Sequence, residues 1–227
     1  MDQGLIGSNC EGFLNVSDYV KSLLRMAGIA GFLLLAIGFA GSWSVGTGVL
    51  LFGIGLPILG IVVCGLTILY FIRSLEVSRH SKSIPSRAGL LASAPAMCVA
   101  LILLALPLFF VGNKIGTHTR LLTEQDQYEA IIADVYANPS EVSFAKADRI
   151  TYSVDLGPPI RIAFNPDGYL GSWSGIVHDP SGEVMLAGAV DEKTGQSAAP
   201  ERITNVFGGR LRGCNHLRGD YYDCSVD

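Results

Sequence analysis

The sequence predicts a membrane protein with three transmembrane α-helices and a small extracytoplasmic α+β domain that contains an antiparallel sheet. Hydrophobic residues make up 49% of the 227 residues and charged residues only 16%, against about 25% charged in soluble domains. No Asp, Glu, Lys or Arg occurs from Met26 to Ile72 or from Ala88 to Asn113. The formal net charge of −4 excludes a basic nucleic-acid-binding protein.

The two uncharged runs predict three spans. A helix needs about 20 apolar residues to cross the hydrocarbon core, so the second run holds one span and the first holds two. The glycine- and serine-rich segment 41–48 divides the first run, and its Trp43 suits the membrane interface. The predicted spans are therefore about 26–42, 49–72 and 88–111, which together form a transmembrane region at 26–112. Buried helices of a soluble protein are the alternative, but such runs leave no polar face for water.

Basic residues predict the orientation, because short cytoplasmic loops carry an excess of Lys and Arg. Lys21 and Arg25 precede span one, and the loop 73–87 carries four basic residues and one acidic residue. The N-terminal segment 1–25 and the loop 73–87 are therefore expected in the cytoplasm. Residues 113–227 are expected outside it.

A signal peptide that ends near Ala40 is the alternative interpretation of span one. The long leader before Lys21 and the immediate second span argue against it. Even without span one, the basic loop would keep the C-terminal region outside the cytoplasm.

Residues 113–227 are predicted to form the α+β domain. A helix is expected from Thr123 and is stopped by Asn138-Pro139, since apolar residues recur at helical spacing between them. The predicted strands are 149–156, 160–164, 173–178 and 183–187, with turns at 157–159, 165–168 and 179–182. A short helix at 200–207 and a final hairpin at 210–226 follow.

The five cysteines differ in their predicted surroundings. Cys64 and Cys98 lie inside spans, and Cys10 lies in the cytoplasmic leader. Cys214 and Cys224 lie in the final hairpin, and an oxidising compartment permits a disulfide between them. Metal ligation by this pair with His216 is an alternative, for which Asp220 is a further potential ligand close in sequence. A catalytic redox pair is disfavoured because the Cys-x-x-Cys spacing is absent.

The C-terminal region carries two patterns: Trp173-Ser174-x-x-Val177-x-Asp179-Pro180-x-Gly182, followed by Phe207-Gly208-Gly209-x-Leu211-x-x-Cys214-x-x-Leu217-x-Gly219-x-Tyr221-Tyr222-x-Cys224. This stretch of about 55 residues resembles the C-terminal region of many uncharacterised proteobacterial inner-membrane proteins. The resemblance implies a bacterial inner membrane and a structural disulfide. It implies no activity.

Motifs for catalysis are scarce. The sequence has no Gly-x-Ser-x-Gly elbow, no phosphate-binding Gly-x-x-x-x-Gly-Lys loop and no His-Glu-x-x-His pair. His178 and Asp179, with Asp167 and Glu183 nearby in sequence, could bind a cation or transfer protons. The alternative is a turn in which Asp179 accepts backbone hydrogen bonds. No catalytic, cofactor-binding or metal-binding residue is predicted beyond this candidate polar site.

Small residues recur at four-residue spacing in span one and allow helices to approach closely. They are expected to pack the three spans together or to associate with another membrane protein: Ala27 and Gly31, Ala36 and Ala40, Gly38 and Ser42.

The predicted function is non-catalytic. We expect a multi-pass protein of the bacterial inner membrane with a cytoplasmic N-terminus, whose periplasmic domain binds another membrane or periplasmic protein in an accessory, assembly, sensing or immunity-type role. Besides that partner, the chain is expected to contact the lipid bilayer and not nucleic acid, and no cofactor is expected. The domain at 113–227 carries ten basic and sixteen acidic residues. This excess is expected first of all to confer solubility, and it is also compatible with a basic or neutral partner. A membrane-tethered periplasmic enzyme that uses His178, Asp179 and nearby carboxylates is the alternative.

Overall fold

A computed structural model describes residues 16–43, 45–79, 84–140, 142–169, 172–189 and 200–227. The chain divides into two compact units. The helical unit comprises Met1–Ala36 and Gly53–Phe110, and the sheet unit comprises Ile37–Phe52 and Val111–Asp227. The predicted leader up to residue 15, with Cys10, and the part of the basic loop that contains Lys82 lie outside the described residues.

The first four helices among the described residues are α1 (Val16–Gly41), α2 (Val45–Leu50), α3 (Leu56–Arg79) and α4 (Ile84–Ala137). Three helical stretches are long and apolar enough to cross a membrane: Val16–Gly41, Gly53–Arg79 and Arg87–Ala137. They correspond to the three predicted spans. The helices extend into the predicted loops, however, because α2 begins inside the predicted turn 41–48, and α3 and α4 include residues 73–79 and 84–87 of the predicted basic loop. The prediction of three apolar helices followed by a sheet is therefore confirmed.

A π-helical segment, Leu51–Gly55, joins α2 to α3 directly before Pro57. Proline has no N–H to donate, and its ring clashes with the carbonyl four residues earlier. Widening the helix at this point relieves that clash. By contrast, Pro95 and Pro107 are accommodated within the continuous α4, so they do not end it.

The helical unit packs around a small core with hydrogen bonds between its helices. The Tyr19 hydroxyl lies 2.9 Å from Ser93 Oγ, and Ser22 Oγ lies 2.5 Å from the Tyr70 hydroxyl. Its buried core residues are Tyr19, Leu23, Met26, Val77, Leu90 and Ala94. The outward side chains are apolar as well, since Phe32, Ile61 and Leu103 are 69%, 73% and 71% exposed. Such a surface is costly in water and favourable against lipid.

Helix α4 is longer than the sequence predicts. The expected helix start at Thr123 was wrong, because α4 runs without interruption for 54 residues. The hydroxyls of Thr117, Thr119 and Thr123 each donate to the carbonyl four residues earlier. These threonines are therefore accommodated inside a helix rather than capping a new one.

The described residues of the sheet unit form seven antiparallel strands in the order β1-β2-β3-β4-β7-β6-β5. The strands are β1 (Val142–Ala147), β2 (Ile150–Asp155), β3 (Arg161–Tyr169), β4 (Ser172–His178), β5 (Asn205–Val206), β6 (Gly209–Arg218) and β7 (Tyr221–Val226). The predicted final hairpin is confirmed as β6 and β7. Strand β1 was not predicted.

Each face of the sheet is covered by a different element. On one face, the C-terminal half of α4 buries Leu121, Tyr128, Ile131 and Val135 against β2, β3 and β4. On the other, a 3₁₀ helix (Glu183–Leu186) and the short helix α5 (Glu201–Thr204) bury Val184, Ala187 and Ile203. Successive side chains of a strand point to opposite faces of the sheet, so each strand contributes to both cores. On β3, for example, Ile162 and Phe164 face α4, whereas Ala163 faces the 3₁₀ helix.

Three further predicted elements, all in the sheet unit, differ from the structure. The predicted turn 165–168 is a bulge inside β3, where Asn165 has a φ of 45° and the register shifts between Phe164 and Asp167. The predicted strand 183–187 is mainly the 3₁₀ helix, because Asp179 binds the N–H group of Val184. The predicted helix 200–207 is helical only as α5 and continues as β5.

Candidate functional site

His178 ends β4 in a largely apolar setting. It is 8% exposed, and its ring packs edge-on against Tyr221 at 5.5 Å between centroids. Within the described residues, its Nδ1 has no hydrogen-bond partner. Burial lowers the pKa of His178 below its ordinary value, although the charges of Asp220 and Asp179 oppose this shift. The imidazole is therefore neutral at neutral pH.

Asp179 holds a turn together. It is fully buried and accepts hydrogen bonds from the N–H of Ser181 at 3.1 Å, the Ser181 hydroxyl at 2.7 Å and the N–H of Val184 at 3.0 Å. Burial alone would raise the pKa of Asp179, but these hydrogen bonds and the charge of Arg161 outweigh it and lower the pKa. The carboxylate is thus ionised and fully engaged.

Arg161 completes this cluster, and the sequence analysis missed it. Only 1% of Arg161 is exposed, and its guanidinium lies 3.4 Å from Asp179, 3.0 Å from Glu183 and 3.7 Å from Asp155. The signal in the sequence is a charged residue at the start of the apolar run Arg161-Ile162-Ala163-Phe164, since a buried arginine requires carboxylate partners. The candidate polar site is therefore divided: Asp179 joins Arg161, whereas His178 packs on Tyr221.

A polar cavity of about 200 Å³ lies elsewhere in the sheet unit. It is bounded by the end of α1, by α4 and by strands β4, β6 and β7. Neither His178 nor Asp179 lines it. The lining residues are Gly41, Ser42, Asn113, Thr117, Arg120, Ser174, Gly175, Ile176, Gly213, Asn215, Asp223, Cys224 and Ser225.

Two charged side chains line this polar cavity, and only one of them is paired. Arg120 is 8% exposed, lies 3.3 Å from Glu124 and donates to the Ser42 carbonyl at 3.2 Å. Asp223 forms no ion pair among the described residues. Burial raises the pKa of Asp223 above its ordinary value, although the charges of Arg120 and His118 act in the opposite direction.

The close approach of α1 and α4 beside the cavity depends on Gly116. A Cβ atom at this position would lie 2.6 Å from the Phe39 carbonyl oxygen and would also collide with the Ser42 hydroxyl. Glycine therefore allows the end of α1 to reach α4, where Ser42 accepts the hydrogen bond from Arg120. Gly116 lies outside the small-residue pattern of span one, so that pattern did not predict this contact.

Glu124 connects Arg120 to the sheet. Its carboxylate accepts hydrogen bonds from the Tyr128 hydroxyl and from Asn165 Nδ2, the latter at 3.1 Å. Asn165 Oδ1 in turn accepts the N–H of Thr151 at 3.1 Å. The positive φ of Asn165 in the β3 bulge thus places its amide where it joins α4 to β2.

The small residues of α1 occupy different environments. Gly31 lies against Leu108 of α4, with 3.7 Å from its Cβ position to Leu108 Cδ1. Gly38 is buried, whereas Ala36 is exposed. Ala27, Ala40 and Ser42 are half-buried.

The predicted disulfide between Cys214 and Cys224 is confirmed. The two cysteines lie opposite each other on β6 and β7 with 4.1 Å between their Cα atoms. Because both sulfurs are used, the alternative metal site with His216 is not formed; His216 Nε2 instead lies 2.9 Å from the Gly219 carbonyl. No group of three or more His, Cys, Asp or Glu side chains that could hold a metal occurs in the described part of the chain.

No protein-family model matches the chain, and neither the curated proteins nor the solved structures give a significant match. The resemblance to proteobacterial inner-membrane proteins stays a prediction.

Proposed function

We propose that this chain is a non-catalytic, multi-pass protein of the bacterial inner membrane that presents its sheet unit to the periplasm for binding of a partner protein. The three long apolar helices support this topology, as do the basic residues in the segment 73–87, which joins the second apolar helix to the third. The disulfide between Cys214 and Cys224 supports an oxidising compartment for the sheet unit.

The polar cavity is the observation that carries the proposal. Its walls include Ser42 at the end of α1 and Asn113, Thr117 and Arg120 on α4. Both helices also contribute residues to the apolar helical unit. A partner group bound in the cavity would therefore contact two of the helices proposed to span the membrane and could change their conformational equilibrium. Such a contact suits an accessory, assembly, sensing or immunity-type role.

The geometry lends no support to the alternative of an enzyme that uses His178 and Asp179. A general acid or base needs access to substrate and a proton to exchange. Asp179 is fully buried with three hydrogen bonds and an ion pair to Arg161. His178 packs on Tyr221 and lies outside the polar cavity.

Photocrosslinking in intact cells tests the proposal. A photoreactive amino acid is introduced separately at Ser174 and Asn215, which are exposed and line the cavity, and at Lys146, which is exposed on β1. We expect a discrete protein adduct from Ser174 and Asn215 and none from Lys146. Equal adduct formation at all three positions, or adducts at Lys146 alone, would show that the cavity is not the partner-binding site.

A further inference from the structure

The charge balance of the polar cavity indicates the kind of group that it accepts. The positive charge of Arg120 is compensated by Glu124 at 3.3 Å. The negative charge of Asp223 has no ion-pair partner in the described part of the chain, although the charges of Arg120 and His118 act on it without forming an ion pair. An unpaired, half-buried carboxylate is unfavourable, and a bound cation would remove the penalty.

The cavity lining also supplies hydrogen-bond acceptors around Asp223. The carboxylate lies on β7 directly between Ile176 of β4 and Asn215 of β6 in the strand register. Ser174 and Thr117, each with a hydroxyl oxygen that can accept a hydrogen bond, line the same space. An ammonium group carries three N–H donors and no acceptor, so one carboxylate with amide and hydroxyl oxygens matches its needs.

Two other ligand classes fit less well. A metal ion prefers several carboxylate or imidazole ligands, whereas Asp223 is the one carboxylate among the described residues that line the cavity. An anion would meet the repulsion of Asp223, and Arg120 already donates to Glu124 and to the Ser42 carbonyl. A volume of about 200 Å³ leaves room for a short organic amine and excludes a large one.

We propose that the polar cavity binds a primary ammonium group with Asp223 as its counter-ion. The group belongs either to a small free amine or to the amino terminus of the partner protein. This inference rests on the proposed function, because it names the chemistry of the contact that the cavity makes.

The test uses the purified full chain in detergent and isothermal titration calorimetry. Ethanolamine is the probe; choline, which has no N–H donor, and uncharged ethylene glycol are the comparison compounds. The variant Asp223→Asn removes the charge at constant size, and Asp220→Asn removes a charge from the exposed turn between β6 and β7 as the matched control. We expect ethanolamine to bind the unmodified chain and Asp220→Asn alike, and to bind Asp223→Asn at least about tenfold more weakly, since a hydrogen bond to a charged group contributes that much.

Three results would overturn the inference: no ethanolamine binding, equal binding of ethanolamine and choline, or unchanged affinity in Asp223→Asn. A short peptide with a free amino terminus, compared with its acetylated form, separates the two sources of the ammonium group. Binding of ethanolamine but of neither peptide assigns the site to a free amine, whereas selective binding of the free peptide assigns it to a partner's terminus. The calorimetry and the photocrosslinking are independent measurements. A cavity that crosslinks to a partner but does not bind ethanolamine would contradict only the ammonium site, and a cavity that binds ethanolamine but does not crosslink would contradict only the partner-binding function.

Discussion

Replacing Arg161 with alanine should destabilise the sheet unit by about 3–5 kcal/mol, the cost of breaking a buried ion pair by removing one partner. Arg161 is 1% exposed, and the carboxylate of Asp179, 3.4 Å away, is fully buried. Asp179 would keep its hydrogen bonds from Ser181 and Val184 but lose its buried counter-ion. Glu183, 3.0 Å from Arg161, would lose this buried partner and keep only its ion pair with Arg202.

Arg202 is the matched control. It also pairs with Glu183, but its side chain is 54% exposed, and exposed ion pairs contribute about 0–1 kcal/mol. Hydrogen exchange of the β3 amides, followed by mass spectrometry on the detergent-solubilised chain, reports the opening free energy of the sheet unit itself. A loss in Arg161→Ala no larger than that in Arg202→Ala would refute the assignment of Arg161 as the buried centre of this cluster.

Three further predictions concern the cross-link, the helix crossing and the cavity. Replacing Cys214 and Cys224 with serine should cost about 2–3 kcal/mol, because the cross-link closes a short loop; chemical denaturation of the oxidised unmodified chain and of the serine variant measures this difference, and equal stability would contradict it. Gly116→Ala should cost about 1–3 kcal/mol by overpacking, whereas Gly89→Ala on the same helix, where a Cβ has no atom within 4 Å, should be neutral or gain up to about 1 kcal/mol. Thermal denaturation distinguishes the two glycines. Burial raises the native pKa of Asp223 above its ordinary value of 3.8. The protonated carboxyl is therefore favoured in the folded state, so its contribution to stability is complete below pH 3.8 and is lost as the pH rises through the native pKa. Asp223→Asn should therefore raise the melting temperature at pH 7, with a gain that shrinks toward pH 3.8; an unchanged gain at both pH values would contradict the burial of this carboxyl.

The helices and the final hairpin could be predicted because their signals are local. The absence of charge over 47 residues from Met26 to Ile72 is visible in the sequence itself, and transfer into lipid depends on each residue nearly independently. The pairing of Cys214 with Cys224 follows from two strands joined by the short turn at Gly219-Asp220. The elements that were predicted wrongly depend on tertiary contacts. Asparagine is common in turns, but hydrogen bonds of the Asn165 side-chain amide with Glu124 and Thr151 hold this residue in a bulge.

The candidate site was harder to predict than the fold. Arg120 and Asp223 are separated by about half of the chain and meet only after α4 packs on the sheet. His178 and Asp179 are adjacent in sequence, but adjacent side chains at a strand end contact different groups. The adjacency of His178 and Asp179 in sequence therefore predicted a joint site that does not form. The separation of Arg120 and Asp223 in sequence gave no signal for the cavity that they line.

The compartment of the sheet unit is the central claim, and a reporter fused after Asp227 tests it most directly. Alkaline phosphatase is active only outside the cytoplasm, and green fluorescent protein exported in unfolded form fluoresces only inside it. We predict active phosphatase from one fusion and no fluorescence from the other. Bright fluorescence with inactive phosphatase would place the sheet unit in the cytoplasm and contradict both the topology and the proposed periplasmic partner.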